Sequence, residues 1–527
     1  MTVGLMATSA VIDTNPYPVA KNIYQKTTCS SQSEGSKYRK VETPYIKPFS
    51  FKNNMINCTK ESLYSSIKRN AVKKENKKSL FIFRRDLRLP DNTGLIAALK
   101  TSENVFPTFI YDPQQISSEN KFLSENAVQF MVESLEDLKK QLYKKKGKLY
   151  EFYGTPSEVI EDLFKKNEID ALFLNKDYTP FSKKRDEELE KICKKNNIDF
   201  HSFHDELINP PNTVFTQKDA PYTIFTPFFK KSRKTNVTKP QRLYASSLSK
   251  GTIKSKFTKL PQIKFDNKNI AEKGGRTVSQ KILKNINDFK NYNEERNFPA
   301  INGTTMLSAH NKFGTSSIRE VYYAIKDNLP PTNDLIQELY WRDFFTYIAD
   351  HVPYVFKGAF KEKYNKIKWK NNRTLFKKWR DGLTGFPIVD AGIRELNQTG
   401  FMHNRVRMIV GSFLVKDLHI NWQWGEKYFA TQLVDYDPSV NNGNWQWVAS
   451  TGSDAQPYFK IFNPWTQQKK FDPECIYVKR WIPELKNIPI KEIHQWYKCH
   501  SKDSKYPAPI VEHAKQIKIT KKMYQVV

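Results

Sequence analysis

The residues best equipped for chemistry are crowded between positions 384 and 459. The chain reads TGFPIVDAGIRELNQTGFMHNRVRMIVGSFLVKDL over 384–418 and DYDPSVNNGNWQWVASTGSDAQPYF over 435–459. Two guanidinium groups (Arg405, Arg407), two carboxylates (Asp435, Asp437), clustered Asn residues and two indoles (Trp445, Trp447) fall inside it. Polar groups this dense among apolar residues at helical spacing are costly to bury unless something polar occupies the space between them. A large, flat, partly charged cofactor is the occupant they suggest. The bland alternative is a surface charge pair beside core tryptophans.

Two spacings bear on this. Trp445 and Trp447 flank Gln446; extended, they share one side of the backbone, whereas on a helix they diverge by about 200°. Upstream, Glu338, Trp341 and Arg342 in ELYWRDFF share one helical face, because three- and four-residue spacings coincide. A carboxylate, an indole and a guanidinium there can hydrogen-bond and stack on a planar ligand. Taken alone, the segment equally fits an intrahelical Glu–Arg pair beside a core Trp.

Composition narrows the partner. The 527 residues carry 86 Lys plus Arg against 55 Asp plus Glu, a net charge of +31 that favours a polyanion. Lysine is spread along the chain and does not by itself locate a binding face. Five Cys at 29, 58, 193, 475 and 499 form no CxxC, which fits a reducing compartment and argues against a disulfide framework. The nine His form no metal-ligand spacing, and no apolar run reaches the ~18 residues of a membrane span. Metal: none is expected.

The elements that must position these groups fall into sections. Residues 1–78, rich in Ser, Thr, Asn and Lys, read as a disordered extension; an organelle-targeting segment is a second reading. From 79 to 210, apolar runs LFIF, VFPTFIY, KLYEFY, ALFL and DFHSF alternate with helical patterns. That alternation implies an α/β domain with a Rossmann-like parallel sheet. It lacks a GxGxxG and a Walker lysine motif, so ordinary nucleotide binding there is unsupported. Residues 211–283 read as an interdomain linker wrapping over the surface. From 284 to 515 the pattern is all-helical, with every Trp at or after 341, and 516–527 read as a C-terminal tail.

Longer motifs carry a family resemblance. FRRDLRLPDN at 83–92, FPAINGTTMLSAHNKFGTSSIREVY at 298–322, ELYWRDFF, TGFPIVDAGIRELNQTGFMHNRVRM and NNGNWQWVASTGSDAQPYFKIFNPWTQ resemble the photolyase/cryptochrome flavoprotein family. The likeness is greatest to class I cyclobutane-pyrimidine-dimer photolyases and runs from about 79 to 512. It implies an N-terminal antenna domain and a helical domain holding FAD, active as FADH⁻, which donates an electron under light to a flipped-out dimer and recovers it when the ring has split.

Residue by residue, the resemblance implies that Tyr292, Thr304, Thr305, Leu307 and Ser308 hold the FAD phosphates, with Met306 standing where Arg is common. Arg342, Asn404, Arg407, Asp435, Asp437 and Asn441 surround the rest of the cofactor, Asn441 facing flavin N5. Trp445, Trp422 and Trp369 match the electron-transfer chain. Glu338, Trp341, Asn404, Met408 and Trp447 line the lesion cavity, where aromatic walls stack a flipped base. Arg296, Arg405, Lys460 and Lys470 match phosphate-contacting positions. The expected partner is damaged DNA, bound by a monomer independently of sequence and away from membranes. His403–Asn404 replaces the His-His pair of 6-4 photolyases, and Asn441 replaces the Asp of plant-type cryptochromes. A blue-light receptor without repair activity, a 6-4 photolyase and a DNA-binding protein without flavin are the competing readings. Phe181–Ser182 replaces the Asn-Glu pair of folate-binding relatives, which argues against a folate antenna. A deazaflavin, a second flavin or no second chromophore is left.

Overall fold

The computed structural model describes residues 74–243, 247–500 and 504–527. The N-terminal extension of the sequence reading lies outside them up to residue 73. Each of the five apolar runs is a strand: β1 Asn76–Phe83, β2 Ser102–Tyr111, β3 Tyr150–Tyr153, β4 Ala171–Asn175 and β5 Asp199–Phe203. β1 begins three residues before the boundary at 79, because Asn76 already pairs with Ser102. The order is β3-β2-β1-β4-β5, and every pairing is parallel.

The strands lack polar alternation because helices cover both faces of the sheet. Along β1, Phe81 and Phe83 pack into the core under helices α1 (Thr93–Thr101) and α2 (Glu125–Lys144). Leu80 and Ile82 pack on the opposite face against α3 (Pro156–Lys166) and α4 (Pro180–Lys195). Side-chain caps fix three of these helix starts: Asn92 accepts from Leu95 N–H, Ser124 from Ala127 N–H and Thr179 from Ser182 N–H.

The 211–283 segment is more than a tether. Val105 N–H donates to Ser247 O at 2.7 Å, Ser249 N–H donates to Val105 O at 2.8 Å, and Tyr153 N–H donates to Phe257 O at 2.9 Å. The segment thus covers sheet edges that would otherwise present unpaired backbone groups. It also contributes helix α5 (Phe225–Ser232).

The helical section is built around α6 (Leu335–His351), α7 (Pro387–Thr399), α8 (Asn404–Ser412), α9 (Trp422–Gln432) and α10 (Pro438–Val448). α6 and α10 approach closely at Gly443, where a Cβ would lie 2.1 Å from Phe345 Cδ1. α8 runs on into a π-helical turn, Phe413–Asp417. Residues 516–527, expected as a tail, instead belong mostly to helix α11 (His513–Gln525). α11 docks on that π turn: His513 Nδ1 lies 2.5 Å from Asp417 Oδ1, His419 Nε2 bonds Thr520 Oγ1 at 3.0 Å, and Tyr524 O–H donates to Ala449 O. These partners are polar and widely separated in sequence, so apolar periodicity does not reveal the docking. Among the described residues, no helix is long and apolar enough to cross a membrane.

Candidate functional site

The sequence cluster converges on one cavity between α8, α9 and α10. Ser308, Lys312, Arg342, Asn404, Arg407, Asp435, Asp437, Asn441, Asn444 and Trp445 supply its polar and aromatic lining. Eight of these were expected from the sequence; Lys312 and Asn444 were not.

Local rules place the carboxylates. Asp437 is the N-cap of α10, accepting from Ser439 N–H at 3.0 Å and Val440 N–H at 3.1 Å, with Pro438 in the first turn. Its other oxygen pairs with Arg85, which follows β1. One carboxylate therefore starts a helix, lines the cavity and ties the two domains together. Burial pushes its pKa up, but Arg85, Lys312 and Arg342 more than reverse this and hold it below the usual carboxylate range. The Arg/Asp set read from the sequence separates into different partners: Arg407 pairs with Asp435 at 3.0 Å, while Arg405 bonds Asn297. Arg342 pairs with Glu206 at 2.8 Å, not with Glu338 on its own helix.

Asn441 is oriented by an asymmetric contact. Its Nδ2 donates to the Glu426 carbonyl at 3.0 Å, which identifies that end of the amide as the NH₂ and leaves Oδ1 as the free acceptor. One turn later, Asn444 Nδ2 donates to Val440 O at 2.9 Å, and its Oδ1 is buried without a hydrogen-bond partner. Buried acceptors left this way are costly unless a donor arrives. Together with Lys312, Arg342 and Arg407, they fit an occupant offering N–H or O–H donors and anionic charge, as FAD does. Burial lowers Lys312 to about 8, against the pull of Asp437, Asp177 and Glu206. Glu426, bonded to Asn442 Nδ2 at 2.9 Å, is pushed up to about 7 by burial.

His403 has a structural task. Its Nδ1 accepts from Arg405 N–H at 3.2 Å and caps α8. Burial, then Arg405 and Arg407, lower its pKa to about 3, so the ring is neutral. Asn404 and Met408 lie one turn apart on the helix it caps, and both are buried.

The other expected phosphate-side residues, Tyr292, Thr304, Thr305 and Leu307, are buried but do not line this cavity. Met306 adopts φ 54°, a left-handed conformation unusual for a side chain of its size.

The expected lesion-facing residues are deeply placed. Glu338 is 1 % exposed, with Oε1 3.3 Å from Arg296 Nη1 and Oε2 lacking a hydrogen-bond partner. Burial pushes it up to about 8 even though Arg296 favours the carboxylate. Trp341 is fully buried, its ring stacked on Phe225 at 3.4 Å between centroids. Phe225 N–H donates to Asp454 Oδ2 at 3.0 Å, clipping α5 to the loop after α10. Trp447 is 4 % exposed. Because α10 is helical, Trp445 and Trp447 take the divergent arrangement, and only Trp445 lines the cavity.

The expected phosphate contacts divide. Lys460 and Lys470 are exposed. Arg296 and Arg405 are buried instead: Arg296 lies between Glu338 and Asp334, and Arg405 lies over the Phe471 ring at 4.4 Å. A guanidinium stacks on aromatics and carboxylates inside a fold as readily as it binds phosphate, and motif matching does not separate the two.

Trp445 rests directly against α9: a Cβ on Gly425 would lie 2.2 Å from its Cη2. Trp422 is three residues before Gly425 and therefore on the same face of α9. The Trp369 segment is pinned beside Trp422, since Lys370 N–H donates to His419 O at 2.9 Å and Asn421 N–H to Asn371 Oδ1 at 2.9 Å.

A second cavity, of about 510 Å³, opens at the C-terminal ends of β1, β2 and β4, where strand order reverses. Phe83, Phe109, Phe122, Met131, Phe181 and Phe313 give it apolar walls, and Arg84, Arg85, Asp112, Asp177, Arg185 and Lys312 give it charge. Lys312 lines both cavities. Arg84 and Arg85 lie in the FRRDLRLPDN motif, but their partners are up to 352 residues away in sequence. Among the described residues, no group of His, Cys, Asp or Glu could hold a metal.

Comparison with known proteins agrees with this geometry. Residues 79–244 match the DNA photolyase family model, and residues 335–526 match the FAD binding domain of DNA photolyase. The deoxyribodipyrimidine photo-lyase of Alkalihalophilus pseudofirmus is 37% identical over 467 residues, covering 83% of this chain and 95% of that protein. The Escherichia coli enzyme is 36% identical over 454 residues, covering 82% and 95%. Among solved structures, an archaeal photolyase from Sulfolobus tokodaii with two FAD molecules aligns with a TM-score of 0.77 and 43% identity, covering 85% of this chain and all of that one. A bacterial class III photolyase from Agrobacterium tumefaciens aligns with a TM-score of 0.79 and 33% identity, covering 88% and 99%.

Proposed function

The chain belongs to the DNA photolyase family, and from that membership we propose that it binds FAD and uses light to split cyclobutane pyrimidine dimers in damaged DNA. The observation that carries most weight is the amide of Asn441, a residue of the cavity lining: its N–H₂ end is committed to Glu426 O, which leaves its carbonyl as the acceptor available to an occupant. Such an acceptor suits the N–H of a reduced flavin, which an Asp carboxylate at the same place would meet with a buried charge. Reduced FAD, when bound, supplies an electron under light.

The protein's own groups do the rest. Arg342, Arg407 and Lys312 offset the cofactor's negative charge, Glu206 holds Arg342 and Asp435 holds Arg407 in place, Asp437 favours the charged form of Lys312, and Ser308 with Asn404 donates hydrogen bonds. Thr304, Thr305, Leu307 and Tyr292, buried outside that cavity's lining, are assigned to the cofactor's phosphates by motif match alone. By motif match, Trp341, Met408 and Trp447 form the lesion's non-polar wall, with Phe225 stacked over the Trp341 ring, and Glu338, protonated below about pH 8, donates to a base carbonyl as negative charge develops there. Lys460 and Lys470 grip phosphates without reading sequence, so binding weakens with salt. Trp445, Trp422 and Trp369 pass electrons inward to keep the cofactor reduced.

The cavity at the sheet's C-terminal edge has room for a second planar chromophore. Phe181 and Ser182 both line it, and its apolar walls with charged ends suit a flavin. A flavin held there would supply excitation to the first.

The test is repair of a thymine-dimer oligonucleotide by purified, reduced protein with and without blue light. Light-dependent loss of dimers is expected; an equal dimer content in light and dark overturns the reading.

A further inference from the structure

Trp341, assigned to the wall that stacks a flipped base, has no exposed face. Three aromatic rings enclose it. Phe225 lies over the indole plane, parallel within 9° and 3.4 Å away between centroids. Phe345 leans against it at 5.6 Å and 32°, and Phe344 meets its edge at 5.8 Å and 83°. Phe344 and Phe345 belong to α6 itself, which fixes them beside Trp341, and Phe345 is also pressed against α10 at Gly443. Of the three, Phe225 alone comes from another element, as the first residue of α5. Its ring takes the place against Trp341 that a stacked base needs. Trp341 Nε1 and Glu338 Oε2, one turn apart on α6, are both buried without a hydrogen-bond partner. Two polar atoms left in this way are costly until a group with its own donor or acceptor arrives between them.

The first turn of α5 is weakly held. Ile224, at its N-cap position, has no side-chain acceptor to offer, so the leading N–H groups of the helix lack a local partner. Asp454, in the loop after α10, supplies an acceptor from outside: it takes Phe225 N–H at 3.0 Å, and beside it Ser453 O–H donates to Thr223 O. Asp454 does so from a left-handed conformation, φ 46°. Upstream the chain is fixed again where Tyr222 N–H donates to the Tyr347 hydroxyl at 3.0 Å. Downstream Phe228 stays packed on Phe344 at 5.2 Å and on Tyr347 at 5.0 Å, which retains the rest of the helix. Only residues 223–225 have to move for the Phe225 ring to leave. A base on an aromatic ring gains at least as much as two aromatic side chains gain from each other. The exchange is therefore favourable for a damaged base, which is cheap to unstack, and unfavourable for one held in a sound duplex.

We propose that Phe225 occupies the base-stacking face of Trp341 in the free protein and swings out with residues 223–225 when a flipped dimer takes its place. The proposal rests on the assignment of Trp341 to the lesion cavity. Phe225 then acts as an internal competitor of the lesion: it keeps water and intact bases off Trp341 and Glu338, and it sets how readily a base must leave its stack before the cavity admits it. Asp454 sets how tightly that competitor is held, since its carboxylate is the acceptor for the first N–H of α5.

The test is made in the dark with a duplex carrying one thymine dimer and the same duplex undamaged. Native protein is measured first, and equal affinity for the two duplexes sinks the dimer reading itself, and the proposal with it. Phe225→Ala is expected to bind the dimer duplex about three- to tenfold more tightly, the change that corresponds to one lost aromatic pair, with its affinity for the undamaged duplex unchanged. Asp454→Ala, which alters only a half-buried loop residue, is expected to tighten dimer binding about two- to tenfold. Amide hydrogen exchange of the native protein needs no substitution: the dimer duplex is expected to speed exchange at residues 223–226, and the undamaged duplex to leave it as it was. Exchange there that slows or stays constant on dimer binding overturns the proposal. So does weaker dimer binding by Phe225→Ala, the result if the ring merely supports Trp341 from behind, or unaltered dimer binding by Asp454→Ala.

Discussion

The sharpest expectation concerns Glu338. Its carboxyl is almost wholly withdrawn from water, and burial raises it to about 8 against the opposing pull of Arg296 at 3.3 Å. At pH 7 about nine in ten molecules then hold the proton, and at pH 9 about one in ten. If the neutral acid donates to the dimer, repair should fall about tenfold over that interval, with a midpoint near 8. Glu338→Gln keeps a donor of similar shape and should flatten the profile. Glu338→Ala removes a hydrogen bond to a group acquiring charge, worth about 1.5–3 kcal/mol, and should lower repair at least tenfold. Its DNA binding should change much less. Stability supplies an independent reading. The folded state holds this proton up to about 8, whereas the unfolded chain releases it near the ordinary value of 4.5. The proton's contribution is therefore complete below about pH 4.5 and is lost as pH rises toward 8. Glu338→Gln should be more stable than the native protein at pH 9 by roughly several kcal/mol, read by urea denaturation. Repair by reduced protein would be followed from pH 7 to 9 under saturating light. A flat native profile, or a Gln variant that falls in parallel with it, would show that the Glu338 proton does not carry the effect.

Gly425→Ala would drive a methyl to within 2.2 Å of Trp445 and 2.6 Å of Leu414. Overpacking of about 1–3 kcal/mol, less the ~1 kcal/mol that Ala gains in a helix, predicts a lowered Tm and slower photoreduction; wild-type values for both would be contrary. Asp437→Asn keeps a capping side chain but removes the charge facing Arg85, and should cost about 3 kcal/mol in urea unfolding together with weaker FAD retention during dialysis. Tyr524→Ala deletes a buried ring next to Trp369, 6.1 Å between centroids, and should cost about 3–5 kcal/mol; loss of less than ~1 kcal/mol in calorimetry would mean that α11 is not part of the core. Replacing both Lys460 and Lys470 by Ala should reduce the slope of log affinity against log salt by about two for dimer-containing and undamaged duplexes alike.

What was legible in the sequence follows from how local its cause is. The five strands could be read because a sheet covered on both faces needs continuous apolar runs, as in Leu80 to Phe83. Asp437 was readable as a site residue, and its capping of α10 follows from the Pro that succeeds it. Lys312 was not legible. Nothing in SAHNKFG distinguishes it from a surface lysine until α/β and helical domains bring Arg85, Asp177 and Asp437 around it. The burial of Arg296 and Arg405 was not legible either, for the converse reason. Their family positions suggested phosphate, but Glu338 and Phe471, distant in sequence, take them into the interior.

The same distinction explains why Asp437 and Lys312 matter beyond the pocket they line. Asp437 Oδ1 is consumed by the first turn of α10, the helix that carries Asn441 and Trp445. Its second oxygen is consumed by Arg85 at the end of β1, beside the second cavity. A shift of Arg85 must therefore disturb either the cap that sets α10 or the charge balance at Lys312, which borders both cavities. Were a second chromophore held there, excitation passing from it to the flavin would depend on their separation and relative orientation. The buried ion pair contributes little net stability by itself. Its value lies in fixing the sheet's C-terminal edge against the first turn of α10, and hence one chromophore site against the other.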